Sequence, residues 1–306
     1  MKRFSPEGRL IEKVENKKAL CSQINLDDAR SREQIIEAHA VICDTAHNLI
    51  VDLGCMKGVI PREEGAIGIR EGIIRDIAII SRVGKPVSFI IKSIETDAAG
   101  NPFALLSRRK AQEQCLCEYI SNFISGDVID VRVTHLEPFG AFCDIGCGIS
   151  SLLPIDAMSV SRISHPRDRL MTGDDIKAVV KGIENGRVTL SLKELLGTWE
   201  ENAEIFAQGE TVSGVIRSIE EYGVFVELAP NLAGLAEPKD GVIPGRKASV
   251  YIKSIIPEKM KVKLIIVDSF TDNYGPPPLK YFYNGLYLDK WVYSPNCASK
   301  VIETVF

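Results

Sequence analysis

The sequence predicts a mainly β chain in which three small five-stranded barrels follow one another, and two observations carry that expectation. Residues 139–145 read Phe-Gly-Ala-Phe-Cys-Asp-Ile and residues 222–228 read Tyr-Gly-Val-Phe-Val-Glu-Leu, 83 positions apart. Both alternate with the period of two that marks a strand with one buried face. Ala141, Cys143 and Ile145 share a core face in the first, and Val224, Val226 and Leu228 in the second. Phe142 then falls on the opposite face with Asp144, and Phe225 with Glu227. That face is expected to look into solvent. Two large rings left there at matching positions suggest a surface on which something flat is stacked. The second observation is that the segments around these strands repeat as well.

The best-formed copy (residues 124–196) opens with a strand from Asp127 to His135. The aromatic strand 139–145, a Gly146-Cys147-Gly148 turn and the strand Ile149–Leu153 follow. A long connection containing Met158 to Met171 leads to a strand over Asp175–Gly182. Glu184-Asn185-Gly186 is a tight hairpin signal before the last strand, Arg187–Lys193. The copy at 207–268 runs through Glu210–Ile219, Tyr222–Leu228, Ala233–Glu237, Arg246–Ile255 and Lys259–Val267. A fainter copy at 34–112 uses Ile35–Asp44, His47–Gly54, Met56–Ile60, Lys85–Glu95 and Phe103–Arg108. There His47 and Ile50 stand where the two rings should be. Five short strands with one longer connection between the third and fourth describe a Greek-key barrel of the OB type. Residues 1–33 form an N-terminal segment, with one short helix expected over Asp27–Glu37. Residues 194–208 have helical composition and link the last two barrels. Residues 269–306 form an aromatic-rich tail in which Tyr281 to Tyr293 alternate as two strands or a clamp lying on the third barrel would.

Composition bounds the function. With 306 residues, 45% hydrophobic and 25% charged, the chain can bury real cores. A formal net charge of -4 excludes a polycationic nucleic-acid binder, so any such binding must use local basic patches. The patches exist: Arg246–Lys263 carries a net +5 and Lys177–Lys193 a net +3, while the excess acid sits in residues such as Glu194, Glu200, Glu201, Glu204 and Glu210. The N-terminal ten residues hold no apolar run, and no stretch approaches ~18 consecutive apolar residues, which leads to the expectation of a cytoplasmic protein without a membrane span. The eight cysteines form no C-x-x-C and read as free, partly buried thiols. A zinc site from Cys115, Cys117 and His39 or His135 lacks paired ligand spacing. No P-loop, nucleophile elbow, complete dinucleotide fingerprint or deaminase pattern is present, so no enzyme, cofactor or metal is expected.

At these residues the chain resembles the S1 RNA-binding repeat family, named after a bacterial ribosomal protein. The family pattern is an aromatic, Gly-Ala/Val-Phe-Val-Asp/Glu-Leu/Ile-Gly, a Gly-Leu-hydrophobic segment and a closing Arg/Lys-hydrophobic-x-Leu-Ser-x-Lys. The second copy carries nearly all of it, ending in Arg187-Val-Thr-Leu-Ser-Leu-Lys193. The third carries the first half and ends in Lys261-Val-Lys-Leu264 without the Ser. The first shows Asp52-Leu-Gly54, Gly58-Val-Ile-Pro-Arg-Glu-Glu64 and Leu106-Ser-Arg-Arg-Lys-Ala111. The resemblance covers most of the chain and implies an RNA face made of both strand aromatics, a third-strand residue that is often His, and a basic residue opening the last strand. In the second copy these are Phe139, Phe142 and Arg187, with Pro154 at the His position. In the third they are Tyr222, Phe225 and Lys261, with Glu237 there, a carboxylate that should repel phosphate.

The charge pattern adds Lys181, Lys253 and Lys263, and the run Arg162–Arg169 adds His165 and Arg167, which equally suit a cap of the connection through Asp168. In the first copy only Lys57, Arg62 and the run Arg108–Lys110 remain as backbone contacts. Ring stacking is worth ~1–3 kcal/mol per base and tolerates any sequence. The expected partner is single-stranded messenger RNA and, by resemblance, the small ribosomal subunit, in support of translation. Neither membrane nor small-molecule cofactor enters. Two other readings stay open: an accessory RNA-binding subunit of an RNA-degradation or transcription complex, and a protein-interaction scaffold whose rings are buried between barrels.

Overall fold

A computed structural model describes residues 4–271 and 275–306. It contains three closed five-stranded barrels and a two-stranded ribbon. The first barrel is built from β1 (Ile36–Cys43), β2 (Leu49–Asp52), β3 (Lys57–Ile60), β4 (Pro86–Thr96) and β5 (Pro102–Ser107). The second uses β6 (Val128–Glu137), β7 (Gly140–Asp144), β8 (Ser150–Pro154), β9 (Asp175–Glu184) and β10 (Arg187–Ser191). The third uses β11 (Thr211–Glu220), β12 (Gly223–Ala229), β13 (Leu232–Ala236), β14 (Lys247–Ile256) and β15 (Lys261–Phe270). In each, the opening strand pairs with the second and the fourth, and the third pairs in parallel with the fifth, which closes the sheet and removes its edges. Register slips in the opening strands, between Ala40 and Ile42 and between Ile216 and Ser218, supply the extra bend that lets one strand serve two neighbours. The expected Greek-key OB architecture is therefore the observed one.

The chain divides into two compact units. The first runs up to Phe123 and takes in Asp130–Arg132 and Asp144–Ser150. Fully buried Phe89, Ile36, Leu49, Ile60 and Leu106 fill its barrel. Helices α1 (Val14–Leu20) and α2 (Gln23–Ser31) precede it, α3 (Ile77–Ile80) lies in its long connection and α4 (Arg108–Glu118) follows it. The single helix expected over 27–37 is corrected. Ser22 caps α2 earlier by accepting from the Asn25 amide, Glu33 adopts a left-handed φ of 48° that ends it, and Ile36 already belongs to β1.

A buried ionic cluster holds this unit together. Arg108 donates from Nε and Nη2 to both oxygens of Glu7, at 2.7 and 3.0 Å, and Arg82 adds a third contact at 3.3 Å. Burial raises the Glu7 carboxyl, but the facing guanidinium charges outweigh it and hold it below its ordinary value. Asp144 accepts from the amides of Glu7, Gly146 and Gly148. Burial, and then the Glu7 charge, push Asp144 up to about 7. That value lies above the ~3.9 of an unfolded aspartate, so between the two the folded chain keeps a proton that the unfolded chain has released. Stability due to Asp144 is thus full below the unfolded value and is lost as pH rises through about 7. Glu37, raised by burial, acts in the same direction, whereas Glu7 acts only at lower pH. The thermal midpoint is expected to fall between about pH 5 and about pH 8, and Asp144→Asn to flatten that fall. An equal fall in the variant would place the proton elsewhere.

The second unit comprises Ile124–Ile129, Val133–Cys143 and the chain from Ser151 onward. One apolar cluster runs through it, joining Val128 and Val179 of the second barrel, Leu195 and Trp199 of the linker, the interior of the third barrel, and Trp291 and Tyr293 of the tail. The linker is shorter in helix than its composition suggests: a 3-10 turn over Lys193–Leu196, then α5 (Trp199–Ala203), started by a Thr198–Glu201 capping box. In the tail, β16 (Lys290–Val292) pairs with β17 (Glu303–Val305). Upstream of this ribbon, Leu286 and Leu288 hydrogen-bond to Val128 and Gly126 at the start of the second barrel, and the Tyr281 hydroxyl accepts from the Lys177 amide. The tail therefore staples the second barrel as well as packing beside the third.

Three of the eight free cysteines, Cys115, Cys143 and Cys147, are buried, and Cys21, Cys55, Cys117 and Cys297 are exposed. Among the described residues no group of three or more metal-type ligands converges, and no helix is long and apolar enough to cross a membrane.

Candidate nucleic-acid interface

The aromatic strands place their rings as the alternation predicts. Ala141, Cys143, Val224 and Val226 are fully buried, while Phe142 and Phe225 are half-buried on the outer face. Phe139 and Tyr222 are 55% and 66% exposed. In the second barrel the ring centroids of Phe139 and Phe142 are 6.0 Å apart at 89°; in the third, Tyr222 and Phe225 are 6.1 Å apart at 90°. Each pair is an edge-to-face contact that leaves ring surface for a further flat group. The glycine between the rings makes this possible. A Cβ on Gly140 would lie 2.5 Å from the Leu153 carbonyl oxygen, and one on Gly223 2.5 Å from that of Ala236. Only glycine lets the aromatic strand approach the third strand this closely at the turn. Phe142 and Phe225 are half-buried and Phe139 and Tyr222 more than half exposed, which counts against the scaffold reading with rings sealed between barrels.

Cations flank both platforms. Phe225 pairs with Leu235, which pairs with Lys263 on the closing strand, so ring and ammonium share one row across three strands. Lys261 and Lys263 alternate with buried Val262 and Leu264 and face outward. Tyr222, Lys253, Lys261 and Lys263 line one depression of about 290 Å³. Glu237 lies there too, but Lys253 Nζ bonds its Oε1 at 3.2 Å, so the carboxylate feared as a repellent is paired. In the second barrel Thr189 occupies the row position of Lys263, opposite Leu152, and Arg187 opens the same strand, exposed.

The fourth strands carry a feature that the sequence did not disclose. Lys92, Lys181 and Lys253 each occupy the residue skipped where the register slips, between Ile91 and Ser93, Val180 and Gly182, and Ile252 and Ser254. A bulge re-aims the side chain it carries. Lys92 is tied to Glu64 at 3.0 Å and Lys253 to Glu237, whereas Lys181 has no carboxylate partner among the described residues. Lys181→Ala is expected to lower the slope of log affinity against log salt by about 0.7 on a single-stranded oligonucleotide, and Lys92→Ala to leave it unchanged. Anisotropy titrations over a salt series check this; equal effects would remove the distinction.

The other expected cations behave differently. In the first barrel Arg108 is buried against Glu7, Arg109 pairs with Glu71 and Glu113, Lys110 with Glu33, and Arg62 with Asp76, which also faces His47 at 3.6 Å. Among the described residues only Lys57 of that set stands exposed without a partner. Arg108 is buried, which corrects the expectation that it reaches a nucleic-acid backbone, and Arg62, Arg109 and Lys110 are each held by an intramolecular carboxylate. His165 is a cap. Its Nδ1 accepts from the Arg167 amide at 3.1 Å, and Asp168 reaches back to the His165 amide. Arg167 remains exposed on that turn.

The carboxylates beside the outer rings are not in solvent either. Asp144 is buried, and Glu227 is buried with Arg169, which donates to both its oxygens at 2.7 and 2.6 Å. Arg217, aimed by the slip in β11, adds 2.8 Å to Glu227 and 3.2 Å to Asp168.

Residues 122–193 match the family model of the S1 RNA binding domain. The second barrel is an S1 RNA binding domain. The match takes in β6 through β10 of this S1 domain, including Phe139, Phe142, Lys181 and Arg187. Over 269 residues the chain is 30% identical to the small ribosomal subunit protein bS1 of Leuconostoc lactis, covering 80% of this chain and 60% of that protein. Over 259 residues it is 28% identical to bS1 of Staphylococcus aureus, covering 79% and 63%. The chain thus spans less than two thirds of the length of the curated relatives it matches. A multidomain protein with nucleic acid binding domains from Streptococcus pneumoniae aligns with 77% of this chain and 74% of its own at 13% identity and a TM-score of 0.26.

Proposed function

We propose that this chain binds single-stranded RNA and acts in the cytoplasm at the small ribosomal subunit, holding messenger RNA during translation and catalysing no reaction itself. The observation that carries the reading is the repeated edge-to-face ring pair, outside the core of two barrels and flanked by lysines and arginines. Bases stack on Phe139 and Phe142 and on Tyr222 and Phe225, while Arg187, Lys181, Lys261 and Lys263 contact phosphates and Lys253 offsets the Glu237 carboxylate beside them. His165 contributes through the turn it caps, which presents Arg167. The first barrel, with His47 and Ile50 in place of the rings and its arginines neutralised, contributes little to RNA affinity. The ribosomal assignment rests on the relatives named bS1, of which this chain spans only part.

Sedimentation of the native chain with ribosomal subunits, with and without nuclease, tests it. Migration with the small subunit that persists in the presence of messenger RNA supports the reading. Exclusive co-purification with a nuclease or polymerase would transfer the same RNA-binding surface to a degradation or transcription complex.

A further inference from the structure

A depression of about 580 Å³ in the second unit lies between the long connection of the second barrel and the third barrel. One wall is the stretch Val160–Ser164 from the long connection of the second barrel. The other is the outer face of the third barrel, including Ser218, Tyr222 and Phe225. The size falls within the ~300–1,000 Å³ usual for ligand sites.

The two walls are locked together. The Ser161 amide donates to the Pro230 carbonyl at 3.1 Å, and the Val160 amide to Asn231 Oδ1 at 3.0 Å. Just beyond the slot, Arg169 of the connection is buried against Glu227, two residues along the strand from Phe225, and Arg217 bridges Glu227 to Asp168. Three charged residues line the depression: Arg162, Arg217 and Glu220. Arg217 is committed to Glu227 and Asp168, whereas Arg162 is exposed and has no partner among the described residues. A free guanidinium facing a ring platform across a preformed gap suits one ligand chemistry, a flat base with a phosphate attached.

We propose that this slot receives one nucleotide of single-stranded RNA: its base stacks on Phe225 and is covered from the other side by residues 162–164, and Arg162 contacts its phosphate. The third barrel then reads RNA as half of a composite site whose other half belongs to the second barrel. Glu220, the one acid in the lining, disfavours phosphate at its own end of the slot. The inference rests on the RNA-binding reading above and adds to it a residue outside the third barrel.

The test uses the full chain, a fluorescein-labelled twelve-residue oligouridylate and a salt series. Arg162→Ala is expected to weaken binding about five- to tenfold and to lower the salt slope by about 0.7, the signature of one lost phosphate on a single strand. Phe225→Ala weakens binding by about fivefold or more through the lost stack. Because both residues hold the same nucleotide, the double variant loses less than the product of the two single losses. If Arg162→Ala leaves affinity and slope unchanged while Phe225→Ala weakens binding, the composite slot is overturned and the RNA-binding reading stands. Independent, multiplicative losses also overturn it. Failure of the unaltered chain to bind at low salt overturns the RNA-binding reading and the slot with it.

Discussion

Replacing Phe139 and Phe142 together by alanine is expected to weaken binding of single-stranded RNA at the second barrel by about 2–5 kcal/mol, the sum of two stacking terms, or about thirtyfold to several-thousandfold in dissociation constant. The rings meet edge to face at 6.0 Å and Phe139 is more than half exposed, so both contribute surface to a ligand and little to the core. The fold should therefore survive, which circular dichroism can establish. The measurement is best made with Tyr222→Ala and Phe225→Ala already in place. Otherwise the third barrel keeps the RNA tethered and masks part of the loss through effective concentration. An unchanged dissociation constant in a folded chain would remove the second barrel from the interface.

The second large effect concerns stability. Glu227→Ala should cost about 3–5 kcal/mol, because it strands the Arg169 guanidinium in a buried place without its carboxylate. Arg169 and Glu227 are both at least nine-tenths buried and joined by two short charge-assisted bonds. Measured against a typical margin of ~5–15 kcal/mol, such a loss should move the urea midpoint of the second unit clearly. The companion variant, Arg169→Met with Glu227→Leu, should recover part of it, since apolar residues of similar volume remove the buried pair and leave Arg217 its Asp168 contact. A Glu227→Ala chain as stable as the parent would mean that water or a rearranged Asp168 satisfies the guanidinium. The same substitution should weaken RNA binding at Tyr222 and Phe225, since it loosens the wall that faces them.

Much of this architecture was legible in the chain because strand alternation is a local property. Period alone places Ala141, Cys143, Val224 and Val226 in the core, where they are fully buried, and also Leu228, which is only half-buried where the pairing of β12 with β13 slips. Helix α4 was not legible. It begins where the closing-strand motif ends, and it buries Arg108 and Gln112 alongside Ala111 and Cys115, so no apolar stripe announces it. Its Ser107 cap reads equally well as the end of a strand. The bulge lysines were visible only as charges. That the three occupy equivalent irregularities follows from pairing registers, which depend on the partner strand.

The residues beside the rings mark the boundary between what the chain declares and what folding decides. Alternation along β7 and β12 is enough to put Phe142 and Phe225 outside their barrels, because it depends only on the two-residue repeat of an extended backbone. The same rule puts Asp144 and Glu227 on that outer face, and they are there. Whether an outer face is wet depends on what lands on it, and here the covering groups come from far along the chain. The Glu7 amide reaches Asp144 across 137 positions, and Arg169 reaches Glu227 across 58. The corresponding Asp52 of the first barrel receives no such cover and stays exposed. Periodicity is thus a one-dimensional property that the sequence determines by itself. Burial of a charge requires a partner brought in by tertiary contact, and only the assembled structure supplies it.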